Sequence, residues 1–174
     1  MKISNPLTTP RITIRNYISS DLPFLTAMWF DEENGRYLSD PTKEYADEKY
    51  RKVLDGLEDN SEGYYLVAEL RDTKEIVGSC CIFPDEKKES FDIGYCVHKD
   101  CWRKGIGTEI IALITAWVRD SGGAEITAEV AKENTASRSL LESNGFKIKR
   151  ESRFKKYNMD VEFESYIYSL KILG

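Results

Sequence analysis

The sequence WRKGIGTE, residues 102–109, places two glycines one residue apart after a basic pair and at the start of an amphipathic stretch. Residues 91–97 before it read as a strand. A strand, a glycine turn and a helix N-terminus together form an anion site, because free backbone N–H groups point outward and the helix dipole adds partial positive charge. The absent Cβ atoms let a phosphate come close. The segment therefore predicts a site for a phosphorylated cofactor.

The spacing of the glycines separates this turn from three common phosphate loops. A P-loop carries its lysine after the second glycine, whereas Lys104 precedes both glycines here. The dinucleotide fingerprint and the kinase loop need a third glycine at the position that Ile110 occupies. What remains is a basic residue, Gly-x-Gly and a long helix, a pattern whose meaning depends on the rest of the chain.

A second pattern lies about thirty residues on, where an asparagine and a serine open a helix that ends at a Gly-Phe pair. In order and spacing, these features resemble the GNAT superfamily of acyl-CoA-dependent N-acyltransferases. Within it they look most like the RimJ/RimL-like group, which acetylates ribosomal-protein N-termini and other amines. The resemblance runs from about residue 9 to residue 173. The residues that carry it are 93–95, 102–109, Asn134, Ser137, Gly145, Phe146 and 166–170.

Length and composition bound the class of protein. At 174 residues, the chain is expected to be one domain, 1–174, large enough to bury a core. A net charge of −5 and a pI near 5.1 argue against a protein that mainly grips nucleic acid, because phosphate contacts need clustered Lys and Arg. No apolar run has membrane-spanning length and the N-terminus lacks a signal-peptide core, so a cytoplasmic protein is expected. The four cysteines and single histidine lack the spacing of zinc ligands, so no metal site is predicted and the thiols are expected to stay reduced.

Hydrophobic periodicity predicts a fold of class α/β (α+β), with a mixed, mostly antiparallel sheet and helices on both faces. The helix after the glycine turn joins two strands that should lie parallel, because a crossover connects them. The resemblance implies that this central parallel pair splays apart and admits the pantetheine arm of the cofactor. The predicted strands are 11–15, 63–71, 75–83, 90–98, 124–131, 146–154 and 163–172, and the predicted helices are 22–29, 46–57, 106–120 and 134–144.

The resemblance implies acetyl-CoA (coenzyme A) as the cofactor, with its pyrophosphate at the glycine turn. The backbone N–H groups of 104–108 are the natural donors, and the side chains of Arg103 and Lys104 either add charge or form a solvated surface pair. Asn134 either binds a pantetheine amide or caps its helix, as asparagine commonly does. The predicted cofactor-binding residues are Tyr95, Cys96, Val97, Arg103, Lys104, Gly105, Ile106, Gly107, Thr108, Asn134 and Ser137.

Two features of the strand near 90–98 are candidates for the chemistry. Gly94 inside this strand indicates either a bulge or close side-chain packing. A bulge would turn an N–H group, from Cys96 or Val97, towards the oxyanion that develops at the thioester carbonyl. Asp92 lies where many family members place a catalytic glutamate, so it is either the base for the amine or an exposed edge residue.

The group that protonates the leaving thiolate departs from the common family pattern. Many members carry a tyrosine four residues before the Gly-Phe pair, and that position holds Leu141 here. In RimJ/RimL-like proteins the serine of the Asn-x-x-Ser pattern approaches the sulfur, and this serine maps to Ser137. Ser137 is therefore expected either to donate a hydrogen bond to the thiolate or to serve only in helix capping.

The first two helices and the last hairpin usually build the acceptor pocket in this family. Trp29, Glu33 and Tyr37 are expected to line it, because carboxylates and aromatic rings suit a cationic amine. The alternative is an ordinary solvated acidic surface. The basic stretch 147–156 is expected to be a solvated edge strand, or else a docking patch for ribosomal RNA.

The leading functional hypothesis is an acetyl-CoA-dependent N-acetyltransferase that acts on a protein or peptide N-terminal amine. One alternative is an acetyltransferase for a small-molecule amine, either a polyamine or an antibiotic. Another is a non-catalytic acyl-CoA-binding sensor, which the replaced tyrosine keeps open. A homodimer is compatible with the sequence, since dimers are frequent in the family.

Overall fold

One mixed sheet organises the chain. Its strands are β1 (Leu7–Thr8), β2 (Ile12–Asn16), β3 (Tyr64–Leu70), β4 (Ile76–Pro84), β5 (Ser90–Val97), β6 (Glu125–Ala131), β7 (Lys147–Lys155) and β8 (Glu162–Lys171). In the computed structural model, which describes residues 1–172, these eight strands lie in the order β1-β2-β3-β4-β5-β6-β8-β7. Neighbouring strands pair antiparallel except for β5 and β6, which pair parallel. The sequence prediction of a mixed, mostly antiparallel sheet is confirmed.

Helices cover both faces of this sheet. They are α1 (Leu22–Trp29), α2 (Glu48–Asp55), α3 (Ile106–Asp120) and α4 (Thr135–Ser143). Pro23 is tolerated in the first turn of α1, where its missing N–H would have no partner. The Asp47 carboxylate caps α2 by accepting a hydrogen bond from the backbone N–H of Tyr50 at 2.8 Å. Every predicted strand and helix is present with each end within two residues, and the short strand β1 is an addition.

The two faces of the sheet carry separate apolar clusters. On one face, the stripe of α3 formed by Ile110, Ile114 and Val118 is fully buried against the sheet, and α4 adds Leu141. On the other face, α1 and α2 pack Leu25, Met28 and Leu54 against Val67 and Cys96, and Leu57 adds to this cluster from the turn after α2. The sheet therefore separates an α3/α4 face from an α1/α2 face. Among the described residues, no helix is both long and apolar enough to cross a bilayer.

The parallel pair at the centre of the sheet opens partway along its length. The strands β5 and β6 pair only at Ser90–Glu125, Phe91–Ile126 and Asp92–Thr127. Beyond that point β5 continues to Val97 and β6 to Ala131, and these parts of the two strands do not pair with each other. The splayed pair implied by the resemblance is thus present. We call the opening between 93–97 and 128–131 the gap.

Candidate active site

The hydrogen-bond phase of β5 decides which of its backbone groups face the gap. The N–H of His98 donates to the carbonyl of Val77 at 2.8 Å, which fixes the phase of the β4–β5 ladder. Because antiparallel partners alternate, the N–H groups of Gly94 and Cys96 point to β4, and those of Tyr95 and Val97 point to the gap. The expectation that the Cys96 N–H meets the carbonyl is therefore wrong, and Val97 keeps that possibility.

Gly94 lies in an unbroken part of the ladder. The β4–β5 register runs without a shift from Gly78–Val97 to Pro84–Phe91, so of the two alternatives for Gly94 the bulge is absent. A Cβ on Gly94 would lie 2.9 Å from the Sγ atom of Cys81. Close packing against the neighbouring strand explains this glycine, and it keeps the α1/α2 face of β5 open at this point.

The glycine turn has the geometry of an anion site. Gly105 adopts a φ of +79°, which a residue with a Cβ adopts only with strain. Among the described residues, none accepts a hydrogen bond from the backbone N–H groups of 104–108, and these groups begin α3. A Cβ on Gly107 would lie 2.8 Å from Leu140 of α4, so this glycine lets the two helices approach. The side chains of Arg103 and Lys104 are exposed.

Arg11, which lies between β1 and β2 and belongs to no motif, supports this turn. Its guanidinium donates from Nη1 to the Lys104 carbonyl at 2.9 Å and from Nε to Glu109 at 2.5 Å. The Thr9 hydroxyl donates to the same Glu109 carboxylate. Two parts of the chain separated by about a hundred residues are thus joined, which no local pattern in the sequence indicates.

Asn134 and Ser137 occupy the start of α4, on the α3/α4 face. The Asn134 side chain accepts a hydrogen bond from the Ser137 N–H at 3.2 Å, so the capping role is present. The Ser137 hydroxyl lies 2.6 Å from the Tyr95 hydroxyl and hydrogen-bonds to it, which joins α4 to β5. Burial raises the pKa of Tyr95 to about 12, against a smaller opposing effect of Ser137. Leu141 is fully buried in the apolar cluster and has no proton to donate. The hydroxyls of Tyr95 and Ser137 are therefore the candidate proton donors at the start of α4.

Asp92 stands where the parallel pair opens. Its carboxylate accepts a hydrogen bond from the Thr127 hydroxyl at 2.7 Å, and it lies on the same face of β5 as Gly94. The side chain keeps contact with solvent, yet the surrounding protein desolvates it enough to raise its pKa, and the charge of Glu129 adds to the effect. A carboxylate with a raised pKa and a path to solvent is suited to proton transfer.

A cavity of about 280 Å³ lies on the α1/α2 face of β4 and β5. Its walls are mostly apolar or aromatic, and Cys81, Gly94 and Cys96 are among the strand residues that line it. The predicted acceptor residue Trp29 lines it and donates from its indole N–H to the Ser79 hydroxyl at 3.0 Å. Such a cavity, closed by β5 on one side, has room for a small group next to the gap.

The structure does not bring the other two predicted acceptor residues to this cavity. Glu33 is exposed and forms an ion pair with Lys99 at 3.4 Å. Tyr37 packs edge-on against Phe163 of the last hairpin, with ring centroids 5.7 Å apart. Both side chains belong to contacts that hold the loop after α1, so their acidic and aromatic character serves packing there.

Asp40 is the carboxylate that lines the cavity instead. It accepts a hydrogen bond from the Tyr50 hydroxyl, which comes from α2. It precedes Pro41 in the loop between α1 and α2 and belongs to no periodic pattern, so its sequence context carries no signal of this position. A residue in an irregular loop is placed by distant contacts, which sequence patterns do not show.

A splayed parallel pair, a glycine turn with unpartnered N–H groups and a cavity across the strand are together the arrangement expected of an acyltransferase. Residues 11–147 match the sequence profile of the acetyltransferase (GNAT) domain. The chain belongs to this family and is an N-acetyltransferase. It is 26% identical over 168 residues to the uncharacterized N-acetyltransferase YoaA of Bacillus subtilis, which covers 94% of this chain and 95% of that protein.

Two solved structures show how widely this fold is shared. One is the acetyltransferase that modifies the N-terminal serine of ribosomal protein L7/L12 in Salmonella typhimurium, with a TM-score of 0.78, 16% identity, and coverage of 97% of this chain and 100% of that one. The other is spermidine N-acetyltransferase from Vibrio cholerae, solved with CoA and spermine, with a TM-score of 0.78, 17% identity, and coverage of 94% and 96%. Because a protein acetyltransferase and a polyamine acetyltransferase are equally similar, the fold does not choose the acceptor.

Proposed function

We propose that this N-acetyltransferase uses acetyl-CoA and acts on a peptide or protein N-terminal amine, as a single acetyltransferase domain over 1–174. The observation that carries this proposal is that β5 separates the gap from the cavity. Tyr95 and Val97 turn their N–H groups to the gap, and Gly94 and Cys96 line the cavity. A donor held on one side and an acceptor held on the other would meet at this strand.

The residues at the turn fit a coenzyme A pyrophosphate. The unpartnered N–H groups of 104–108 and the close approach that Gly105 and Gly107 permit are suited to a diphosphate. When bound, acetyl-CoA supplies an activated thioester carbonyl. Asn134, at the start of α4, would retain its capping contact while its remaining donors face the cofactor side.

Four groups around β5 would then carry the chemistry. The Val97 N–H faces the gap and would stabilise negative charge on the carbonyl oxygen. Asp92 would take a proton from the nitrogen that becomes the amide, directly or through one water. Ser137, hydrogen-bonded to Tyr95, would donate to the departing sulfur, whose ordinary pKa is about 8.5 by analogy with cysteine.

The composition of the cavity favours an acceptor with one positive charge. Asp40 is the carboxylate among the lining residues, and the other walls are apolar, aromatic or neutral. An N-terminal α-amine brings one ammonium group, whereas a polyamine brings several, and burying a charge without a partner is costly. A compact small-molecule monoamine is the second candidate, because about 280 Å³ is at the small end of ligand cavities.

Mass spectrometry of an acceptor panel incubated with acetyl-CoA tests this proposal. The panel holds peptides that begin with Ala, Ser or Thr, simple primary monoamines, spermidine and an aminoglycoside. We expect one acetyl group on peptide α-amines. Acetylation of the monoamines alone would favour the second candidate, acetylation of spermidine would contradict the single-charge argument, and acetyl-CoA binding without any product would favour a sensor.

We further propose a cytoplasmic location and a homodimer. All four cysteines are unpaired thiols, as expected of a reducing compartment. Dimers are frequent in the family that the sequence resembles. Light scattering of the purified protein would test the dimer, and a mass of 20.0 kDa would contradict it.

A further inference from the structure

The Asp40 carboxylate has one engaged oxygen and one free oxygen. Its Oδ1 atom accepts the hydrogen bond from the Tyr50 hydroxyl. No other described residue donates to Oδ2, and this atom is not among the enclosed polar atoms that lack a partner, so it keeps accessible surface. Because Asp40 lines the cavity, its free oxygen is available to a ligand there.

The surroundings of Asp40 do not neutralise it directly. Lys156 is buried nearby, but its ammonium donates to the backbone carbonyls of Gly35, Leu38 and Asp40 at 2.8, 2.8 and 2.9 Å. The other titratable groups that face Asp40 are neutral phenols and thiols from α2, β3, β4 and β5, namely Tyr50, Tyr65, Cys81 and Cys96. The net effect of burial, opposed by the Tyr50 hydroxyl, the backbone N–H of Asp40 itself and the charge of Lys156, is to raise the pKa of Asp40.

Lys156 attracts the Asp40 carboxylate but donates only to backbone carbonyls, so no cation contacts the buried carboxylate directly. Because a buried carboxylate without such a contact costs stability, a cationic ligand in the cavity would stabilise it. Aromatic rings of Trp29, Tyr50 and Tyr65 stand around the same space and attract an ammonium group. Asp92 does not line the cavity and is held by Thr127 at the exposed end of the gap. The two carboxylates therefore have different surroundings, Asp40 inside the cavity and Asp92 at the solvent-exposed point where the parallel pair opens.

We propose that Asp40 is the catalytic group that binds the acceptor ammonium in the cavity and takes its first proton. This inference rests on the proposed acetyltransferase function. In the step, the N–H bond of R–NH₃⁺ breaks, its proton joins Oδ2 of Asp40, and the nitrogen keeps the electron pair. An ion pair thereby becomes a neutral acid and a neutral amine, which an apolar cavity favours.

The remaining protons balance without a further reagent. The neutral nitrogen forms the C–N bond with the acetyl carbon as the C–S bond breaks and the sulfur leaves with its electron pair. The nitrogen then loses its second proton to Asp92, and the sulfur gains one from solvent through the Ser137 and Tyr95 hydroxyls. Two protons leave nitrogen and one reaches sulfur, so one proton is released through the carboxylates to solvent.

The test compares Asp40→Asn with Asp55→Asn, which makes the same change at an exposed position of α2 outside the cavity. The measurement is kcat/KM for an Ala-initiated peptide across pH. We expect Asp40→Asn to lower it about 100-fold near pH 7, the lower end of the effect of a positioned base. The loss should shrink as pH rises, because a peptide α-amine with a pKa of about 7.7–8.0 then arrives neutral. Asp55→Asn should match the wild type throughout.

Tyr50→Phe provides a second, independent readout. It removes the donor to Oδ1 and so raises the pKa of Asp40 further, and we expect the acid limb of the kcat/KM profile to move to higher pH. Coenzyme A affinity, measured by calorimetry, should be unchanged in both variants, which shows that they are folded. An unmoved acid limb in Tyr50→Phe, or a loss in Asp40→Asn that is the same at every pH, would overturn the role of Asp40.

Peptide binding separates this inference from the proposed function. Calorimetry of the Ala-initiated peptide with the coenzyme A-saturated protein needs no turnover. We expect at least tenfold weaker binding in Asp40→Asn, and little binding of the same peptide with its amine already acetylated. If no acceptor is acetylated but this binding difference holds, the function fails and the ammonium site stands. Equal binding by wild type and Asp40→Asn would overturn the site.

Discussion

At the scale of single residues, we propose that the Ser137–Tyr95 pair does the work of the tyrosine whose position Leu141 occupies here. The two hydroxyls are 2.6 Å apart, and either one is able to donate. The raised pKa of Tyr95, to about 12, keeps its proton on the phenol, so Tyr95 is suited to donating to Ser137. Ser137 would then have its own proton free for the sulfur.

We predict that Ser137→Ala lowers kcat by about 10- to 100-fold with little change in the KM for the peptide. The reason is that a hydrogen bond to a charged group contributes about 1.5–3 kcal/mol, and the thiolate is charged only as it leaves. Tyr95→Phe should lower kcat by a smaller factor, because the serine remains. Steady-state kinetics measure both, and full turnover in Ser137→Ala would remove this residue from the chemistry.

The ionisation of Asp40 should also make the stability of the protein depend on pH. Its pKa is raised in the folded state, so the folded protein holds the Asp40 proton more tightly than the unfolded chain does. The stability that this proton contributes is complete below the unfolded value of about 3.9 and is lost as pH rises through the folded pKa.

We therefore predict that Asp40→Asn has a higher melting temperature than the wild type at pH 8, with the difference shrinking towards pH 4. The neutral amide removes the cost of a charged carboxylate in an apolar cavity, a cost expected where function needs a strained site. Asp55→Asn, at an exposed position, should melt like the wild type at both pH values. Thermal melts followed by circular dichroism at pH 4, 6 and 8 measure this, and a variant less stable at pH 8 would contradict it.

At the scale of elements, the sequence predicts strands and helices well because apolar periodicity reports burial, as the stripe Ile110, Ile114 and Val118 on α3 shows. The sequence does not predict which backbone N–H groups of β5 face the gap, because this depends on how β5 pairs with β4, as the His98–Val77 hydrogen bond shows. No pattern within β5 reveals that the Cys96 N–H is taken and the Val97 N–H faces the gap.

The strand–turn–helix unit at 91–109 gives a test in which strain and function are separated. Gly105 and Gly122 flank the two ends of α3 and have φ values of +79° and +82°. An alanine at either position is strained in the left-handed region by about 1–2 kcal/mol. Only Gly105 belongs to the turn whose N–H groups of 104–108 lack acceptors in the described structure.

We predict that Gly105→Ala weakens coenzyme A binding at least tenfold, because the strained turn shifts and the added Cβ lies 3.1 Å from the guanidinium of Arg11. Gly122→Ala, with no atom within 4 Å of its added Cβ, should lose similar stability and keep its affinity. Calorimetric titration with coenzyme A and thermal melts measure the two quantities. Equal affinities in the two variants would show that the turn does not hold the cofactor.

At the scale of the whole molecule, contacts between distant segments place the parts of the site that the sequence leaves unpredicted. Asp40 reaches the cavity because Lys156, 116 residues away, ties the loop after α1 to the last hairpin. Glu33 and Tyr37, in the same loop, are used for contacts with Lys99 and Phe163. Residue type suggested an acidic and aromatic pocket in this region, and tertiary packing decided which side chains form it.

The separation of gap and cavity by β5 also bears on whether the acetyl group passes directly from donor to acceptor or first to the enzyme. A route through an acetylated enzyme would need a nucleophile at this strand, and the cysteines nearest to it are Cys81 and Cys96. Burial raises the pKa of each thiol to about 12, so both stay protonated and unreactive at neutral pH. Direct transfer between donor and acceptor, both bound at once, is what the arrangement permits.

We therefore predict sequential kinetics: initial rates at several fixed acetyl-CoA concentrations should give intersecting double-reciprocal lines when peptide is varied. Cys81→Ser and Cys96→Ser should retain kcat within a few-fold, because each thiol lines the cavity without taking part in bond formation. Parallel lines, together with an acetylated cysteine found by peptide mapping, would contradict direct transfer. Parallel lines without an acetylated residue would still exclude simultaneous binding, and with it the role of β5 as the strand where donor and acceptor meet.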